Sequence, residues 1–336
     1  MPIRNPVSVR HDGPLVTIAI PTFNRAALLK ECVAAALAQT YQNFEILVSD
    51  NASPDETSEV LRGFADERLR VIRQPSNIGL MPNWNACVAA ARGEYLVLVC
   101  DDDQIDPWLL ERCVAILAGR PQVPIVVGLS NLHSTALNHT FAARRSRHLQ
   151  TGIVSGTDIL LAYLKNEIGV IASCSVMCRT DVLQHHGGFP MGFPHTADIA
   201  AWAPLLFLGE AGFLNEACAT WTSHDDSATK RLGVEVLLRD GWQVAGLISA
   251  LAEQHAPDDE TRRLIKFHSR RCFAGRALTA LSEYRRSGGG LQSILNFVWQ
   301  FRRELSRVDL TAALKLGATI LCPRPIADRV RRLKHT

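Results

Sequence analysis

Three aspartates stand side by side, Asp101-Asp102-Asp103, directly behind the apolar run of residues 94–100. Adjacent carboxylates repel, and keeping several of them ionised together is costly unless a cation neutralises them. An oxygen-rich set of this kind suits Mg²⁺ or Mn²⁺, and either ion in turn binds phosphate oxygens. A helix starting at Pro107 offers a second reading, because an aspartate just ahead of a helix caps it. That reading accounts for Asp103 or Asp106 and leaves Asp101 and Asp102 unexplained. Two further polar clusters follow apolar runs: Pro21-Thr22-Phe23-Asn24-Arg25 and Ser49-Asp50-Asn51-Ala52-Ser53. The first run is followed by neither G-x-G-x-x-G nor G-x-x-x-x-G-K-[ST], so no Gly-rich loop cradles a phosphate there. A cation held by carboxylates is left to do that work.

The elements that must position these residues are short apolar runs alternating with helical patterns. Residues 15–20, 44–49, 69–73, 94–100 and 124–128 read as strands. Residues 25–39, the segment opened by Ser53-Pro54-Asp55-Glu56, residues 82–92 and residues 107–119 read as helices. Strands apolar on both faces, with helices between them, predict an α/β fold with a mostly parallel sheet covered by helices. Ligands of such sheets bind beyond the carboxyl ends of the strands, and all three polar clusters fall there. Residues 130–150 read as a long surface loop or insertion, and a mixed region follows to about Trp221. Beyond Lys230 the chain reads as helical: 234–254, 259–286 and 291–305, with Ser287-Gly288-Gly289-Gly290 breaking the last two apart.

Composition bounds the rest. The chain has 336 residues, 47% hydrophobic and 21% charged, which excludes wholesale disorder and collagen-like repeats. A net charge of +3 hides an asymmetry: residues 1–229 carry 16 basic and 23 acidic residues, whereas 230–336 carry 20 and 10. Two parts with different jobs are predicted, an α/β domain over 1–229 and a basic α-helical C-terminal region over 230–336. No apolar run approaches the roughly 18 residues of a spanning helix, and residues 1–13 lack the apolar core of a signal peptide. Nine scattered cysteines without C-x-x-C argue against a disulfide framework or zinc knuckle. A cytoplasmic protein with reduced thiols is the expectation.

Several stretches resemble family 2 glycosyltransferases of the GT-A fold, of the type found in bacterial polysaccharide and O-antigen assembly. They are Val16-Thr-Ile-Ala-Ile-Pro-Thr-Phe-Asn-Arg25, Gln39-Thr-Tyr-Gln-Asn-Phe-Glu-Ile-Leu-Val-Ser-Asp-Asn-Ala-Ser53, Asn77-Ile-Gly79, Ala91-Arg-Gly-Glu-Tyr95 and Asp101-Asp-Asp-Gln-Ile-Asp-Pro107, all in the family's order. A weaker continuation covers residues 153–227. The resemblance implies a Rossmann-like GT-A catalytic domain over 1–229. It implies a nucleotide-sugar site of Pro21, Thr22, Asn24, Arg25, Asp50, Asn77, Asp101 and Asp103, with Asp50 accepting from the base and Asp101 beside the ribose. Counting back from Pro107 along the family's acidic motif makes Asp102 the metal ligand. Cys100 stands where that motif has its first aspartate. Downstream, Gly187-Gly188-Phe189, Ala197-Asp198 and Trp202 follow the family's pattern, with Ala197 replacing the usual Glu. Asp198 then matches the catalytic aspartate, and His224 the late histidine that completes the metal site.

The resemblance thus implies a metal-dependent, hexosyltransferase-like, inverting glycosyltransferase. Asp198 takes the proton from an acceptor hydroxyl attacking the anomeric carbon of a nucleotide-diphosphate sugar. Mn²⁺ or Mg²⁺ on Asp102, supported by His224, meets the charge of the departing nucleotide diphosphate. A free carboxylate pKa near 4 keeps Asp198 ionised at neutral pH. A glycan or lipid-linked acceptor is expected. Two rivals stand beside this: a sugar nucleotidyltransferase, which should show a Gly-rich segment after the first strand, and a non-catalytic sugar-nucleotide binder, encouraged by Cys100 and Ala197. In the basic region, residues 291–305 place Ile294, Leu295, Val298 and Trp299 beside an arginine pair, which fits an interfacial helix on an anionic membrane surface. A helical cap with a solvated basic face is the alternative. Aromatic residues do not interleave with the basic ones in a stacking pattern, so nucleic acid is not expected. Peripheral attachment to the inner face of the cell membrane is the corresponding location.

Overall fold

The computed structural model describes residues 13–286 and 288–300. They form two compact units. The first holds the described residues up to Val154 with Gly169–Phe189 and Glu210–Ser223; the second holds Ser155–Ile168, Pro190–Gly209 and the described residues from His224 on.

The first unit is built on one sheet. Its strands are β1 (Val16–Thr22), β2 (Phe44–Asp50), β3 (Leu69–Arg73), β4 (Tyr95–Leu98), β5 (Gln104–Ile105), β6 (Ile125–Ser134), β7 (His139–Phe141), β8 (Gly152–Ser155), β9 (Val176–Arg179) and β10 (Glu210–Ser223). The order is β3-β2-β1-β4-β9-β6-β10-β5, with β7 on β6 and β8 on β10. Strands β3, β2, β1 and β4 are mutually parallel, as are β6 and β10. The short β9 runs antiparallel between β4 and β6, and β5 antiparallel to β10. The sheet is therefore mixed, and its longest pairings are parallel. Every residue of β1, β2 and β4 is buried, which is why these strands read as continuous apolar runs. Helices α1 (Ala26–Leu37), α2 (Thr57–Arg62), α3 (Leu80–Ala90) and α4 (Leu109–Leu117) separate them. Ile18, Ile20, Leu29, Val33, Ile46, Val48, Val97, Leu109, Val126 and Met177 share one core.

Two expectations need correcting. Residues 130–150 are not simply a loop: β6 continues to Ser134 and turns back through β7, with His133 opposite Thr140 and Asn138 in the left-handed region at φ 44°. Pairing across the hairpin overrides the polar composition of this segment. The first strand also runs past its predicted end, through Pro21 to Thr22. Its pairing with β4 stops at Ala19, so Pro21 is flanked by β2 alone, where a residue without an N–H is tolerated.

The second unit is helical: α5 (Gly156–Leu164), α7 (Ala197–Leu206), α8 (Val234–His255), α9 (Asp259–Arg286) and α10 (Leu291–Gln300); the short α6 (Thr180–His185) belongs to the first unit. Leu238 of α8 packs with Ala277, Leu278 and Leu281 of α9, and Phe297 and Val298 of α10 close over them. The predicted extension of the last helix over 301–305 lies outside the described residues. No helix among the described residues is long and apolar enough to cross a membrane.

Candidate active site

Strands β1 and β2 end level with one another, Thr22 opposite Asp50. Beyond β4 the chain turns sharply through the aspartates before β5 begins. The Thr22 hydroxyl donates to Asp101 Oδ2 at 2.7 Å. Arg25 Nη1 donates to Asp101 Oδ1 at 3.0 Å and to Asp102 Oδ2 at 2.9 Å. Burial pushes the Asp101 carboxyl up to about 6, with Arg25 pulling it back and Asp102 adding to the rise. Asp103 is buried and accepts the Thr222 N–H at 3.0 Å. Its pKa is pushed well above the usual carboxylate range, first by burial and then by Asp102.

Cys100 Sγ and one carboxylate oxygen each of Asp102 and Asp103 lie within 4.8 Å of one another. Burial, then the neighbouring aspartates, push the Cys100 thiol well up. Three donors converge where ionised groups crowd together, and a divalent cation answers that crowding directly. The donor set fits such an ion, and the thiol adds a soft ligand to an otherwise hard oxygen site. Sequence reasoning treated Cys100 only as a departure from a motif. Its place next to three aspartates was the available signal that it could be a donor itself. Asp103, assigned above to the nucleotide-sugar set, is grouped here with the possible metal donors.

The loops after β1 and β2 brace each other. Asn24 and Ala52 both adopt left-handed backbone, at φ 56° and 60°, an unusual and strained conformation for alanine. The Asn24 N–H donates to Ser53 Oγ at 2.9 Å, Asn51 N–H to the Thr22 carbonyl at 3.0 Å, and Ala26 N–H to Asp55 Oδ2 at 2.9 Å. Asp50 is turned to other work: Oδ1 accepts the Ser53 N–H at 2.8 Å, and Oδ2 pairs with Arg73. Arg73 sits directly across from Asp50 in the β2–β3 register, and the sequence reading missed it. Asn77 Oδ1 accepts from Asn51 Nδ2 at 3.0 Å and from the Gly79 N–H at 2.9 Å. Thus Thr22, Arg25, Asp101 and Asp102 are joined directly, Asp103 adjoins them, Pro21 is the last residue but one of β1, and Asn24 lies in the loop that follows. Asp50 and Asn77 organise the neighbouring loops.

Gly187-Gly188-Phe189 has a packing reason. Gly188 has φ 71°, and a Cβ there would lie 2.5 Å from Asn85 Oδ1. That approach lets Asn85 accept the Phe189 N–H and donate to the Phe189 carbonyl, both at 2.8 Å, while the Phe189 ring meets Trp84 edge-on at 4.9 Å.

Asp198 and His224 belong to the second unit. Asp198 is the second residue of α7, half-buried, with Oδ1 accepting the Ile199 N–H at 2.7 Å. Its carboxyl is pushed up to about 6, chiefly by burial; the Ile199 N–H and Arg276 work against the rise and Asp240 reinforces it. The expectation of a free carboxylate near 4 is corrected accordingly. At pH 7 the ionised form still prevails by about ten to one. His224 follows β10 directly, is half-buried, and accepts the Ser227 N–H on its carbonyl at 3.1 Å.

The sequence profile described as Glycosyl transferase family 2 matches residues 17–187. Hyaluronan synthase of Pasteurella multocida is 35% identical over 262 residues, spanning 75% of this chain and 25% of the synthase. Among the first curated relatives the matched span runs from 13% to 66% of their length. Staphylococcus aureus TarS 1-349 in complex with UDP has a similar structure, with a TM-score of 0.59 and 16% identity over 82% of this chain and 80% of that one. A mannosyltransferase of Pyrobaculum calidifontis in complex with GDP-Man and Mn²⁺ gives a TM-score of 0.56 and 18% identity, over 96% of this chain and 87% of that one. Both show a likeness of fold.

Proposed function

This chain belongs to glycosyl transferase family 2, and from that premise we propose that it is an inverting enzyme. It moves a sugar from a nucleotide-diphosphate sugar to an acceptor hydroxyl, in cell-surface polysaccharide or lipid-linked glycan assembly. The observation that carries this is the convergence of Thr22, Arg25, Asp101, Asp102 and Asp103 beyond the strand ends, where α/β sheets bind nucleotides. The catalytic domain is residues 1–229 and the basic helical region 230–336.

In this reading Pro21, Thr22, Asn24 and Arg25 line the nucleotide, Asp101 faces the ribose, and Asp50 and Asn77 shape the base pocket. Asp102, with Asp103 and Cys100 beside it, would hold Mn²⁺ or Mg²⁺, which when bound supplies positive charge to the diphosphate. His224 is a further ligand on the strength of the resemblance alone. Asp198 receives the proton of the acceptor hydroxyl as that oxygen attacks the anomeric carbon, and the nucleotide diphosphate departs. A carboxyl near 6 is a stronger base than a free one and is still mostly ionised at pH 7, which suits the task.

Thermal-shift measurements against UDP-, GDP- and dTDP-sugars with Mn²⁺ test donor binding, since a ligand of the folded state raises its stability. Sugar transfer or donor hydrolysis that disappears in Asp198→Asn separates an enzyme from a binding protein. Donor binding without turnover in the unaltered chain would favour the binding protein. A cytoplasmic location on the inner membrane face is part of the proposal. It is supported by Leu291, Leu295 and Trp299, spaced one helical turn apart on α10 and all exposed. Co-sedimentation with vesicles that shows no dependence on anionic lipid would remove that part.

A further inference from the structure

The turn that starts the helix carrying Asp198 is held from far along the chain. Asp240, within α8, is 1% exposed. Its Oδ2 accepts the His195 N–H at 2.7 Å, and its Oδ1 accepts the hydroxyl of Thr196. Thr196 is the residue directly ahead of α7, yet it makes no side-chain capping bond to that helix. A threonine there ordinarily caps the helix through its oxygen; here the hydroxyl donates to Asp240 instead. A buried carboxylate is costly unless hydrogen-bonded, and both bonds Asp240 accepts come from the two residues before α7.

Helix α9 contributes a second group. Arg276 Nη1 donates to the Tyr163 hydroxyl of α5 at 2.6 Å, and its guanidinium lies 4.7 Å from the Tyr163 ring centre and 5.1 Å from that of Phe273. The groups that act on Asp198 are therefore Tyr163 from α5, Asp240 from α8, Arg276 from α9 and the Ile199 N–H of its own helix. His195 and Cys272 stand in the field of Arg276 as well.

We propose that Asp240 is a positioning residue for Asp198: it grips the His195–Thr196 turn that aims α7. The inference rests on the reading of Asp198 as the base. It gives the region after residue 230 a part in catalysis that its charge and composition did not announce.

The test uses the full chain, with Thr196→Val, Thr196→Ser, Asp240→Asn and Asp198→Asn compared for kcat and donor KM. Thr196→Val is isosteric and removes one bond; kcat should fall roughly tenfold, as small misplacements of a reacting group do, with donor KM unchanged. Thr196→Ser should restore it, and Asp240→Asn, which keeps the shape of the side chain, should show the same split between kcat and KM. Wild-type kcat in both Thr196→Val and Asp240→Asn, with Asp198→Asn inactive, overturns the role of Asp240 while the base survives. Activity in Asp198→Asn overturns the base itself.

Discussion

Asp101 and Asp198 have the same carboxyl chemistry and nearly the same acidity, both pushed up to about 6 chiefly by burial. Their surroundings differ. Asp101 sits among three other acidic or thiol side chains, Cys100, Asp102 and Asp103, with Arg25 as the cation bonded to it. Asp198 is a single acid balanced between Arg276 and Asp240. The first arrangement carries more negative charge than its arginine neutralises and calls for another cation. The second sets two carboxylates against one guanidinium, and among the described residues no cluster of metal donors includes Asp198. An elevated carboxyl pKa thus marks two kinds of site, and the neighbours decide which.

That contrast can be broken most directly by substitution. Asp198→Asn should lower kcat by about 10²–10⁴-fold, the usual worth of a general base, with donor affinity kept; Asp102→Asn should lose donor affinity as well. Equal loss of donor binding in both, measured by calorimetry, would erase the distinction. Next in size, EDTA should abolish the stabilisation that a nucleotide-sugar confers, a loss of about 2.7 kcal/mol at a ligand concentration one hundred times Kd. Added Mn²⁺ should return it. Arg25→Met leaves Asp101 and Asp102 without their shared partner, in a pair that keeps some solvent access, and should cost roughly 1–3 kcal/mol in chemical denaturation. Mn²⁺ should offset more of the unfolding in that variant than in the wild type, if cation and arginine answer the same charge.

The smallest effect is the pH dependence set by Asp198. Its base form is lost as pH falls, so kcat should drop through a limb near pH 6 and by about tenfold per unit below it. The stability effect of the same group has the opposite sense. Because the folded carboxyl holds its proton more tightly than the unfolded one, this group favours the folded state at low pH, and that contribution is lost as pH rises from about 4 through 6. A stability curve whose Asp198-dependent part rises across that window would contradict the assignment.

The parallel half of the sheet was legible because β1, β2 and β4 are buried on both faces and are mostly apolar. Strands β5, β7 and β9 have two to four residues each, too few for any period to show; pairing with neighbours distant in sequence creates them. Among site residues, the aspartates, Thr22 and Arg25 stood at strand ends where chemistry was expected. Arg73 was not found because its role depends on facing Asp50 across a register. Asp240 carried one faint signal, an acidic side chain among the apolar positions of a helix, with Leu238 and Val244 buried on either side of it.

The strand order also has a consequence for synthesis. Strands β4 and β6 emerge early, but neither can reach the other until β9, at Val176–Arg179, has been made and slipped between them. Until then the growing chain holds β3-β2-β1-β4 and the β6–β7 hairpin, and β4 keeps an unpaired edge of the sort that recruits other chains. The four-residue β9 therefore joins the two parts before β10, the longest partner of β6, has been made, and the interval before β9 arrives is one in which a nascent chain is exposed to mispairing.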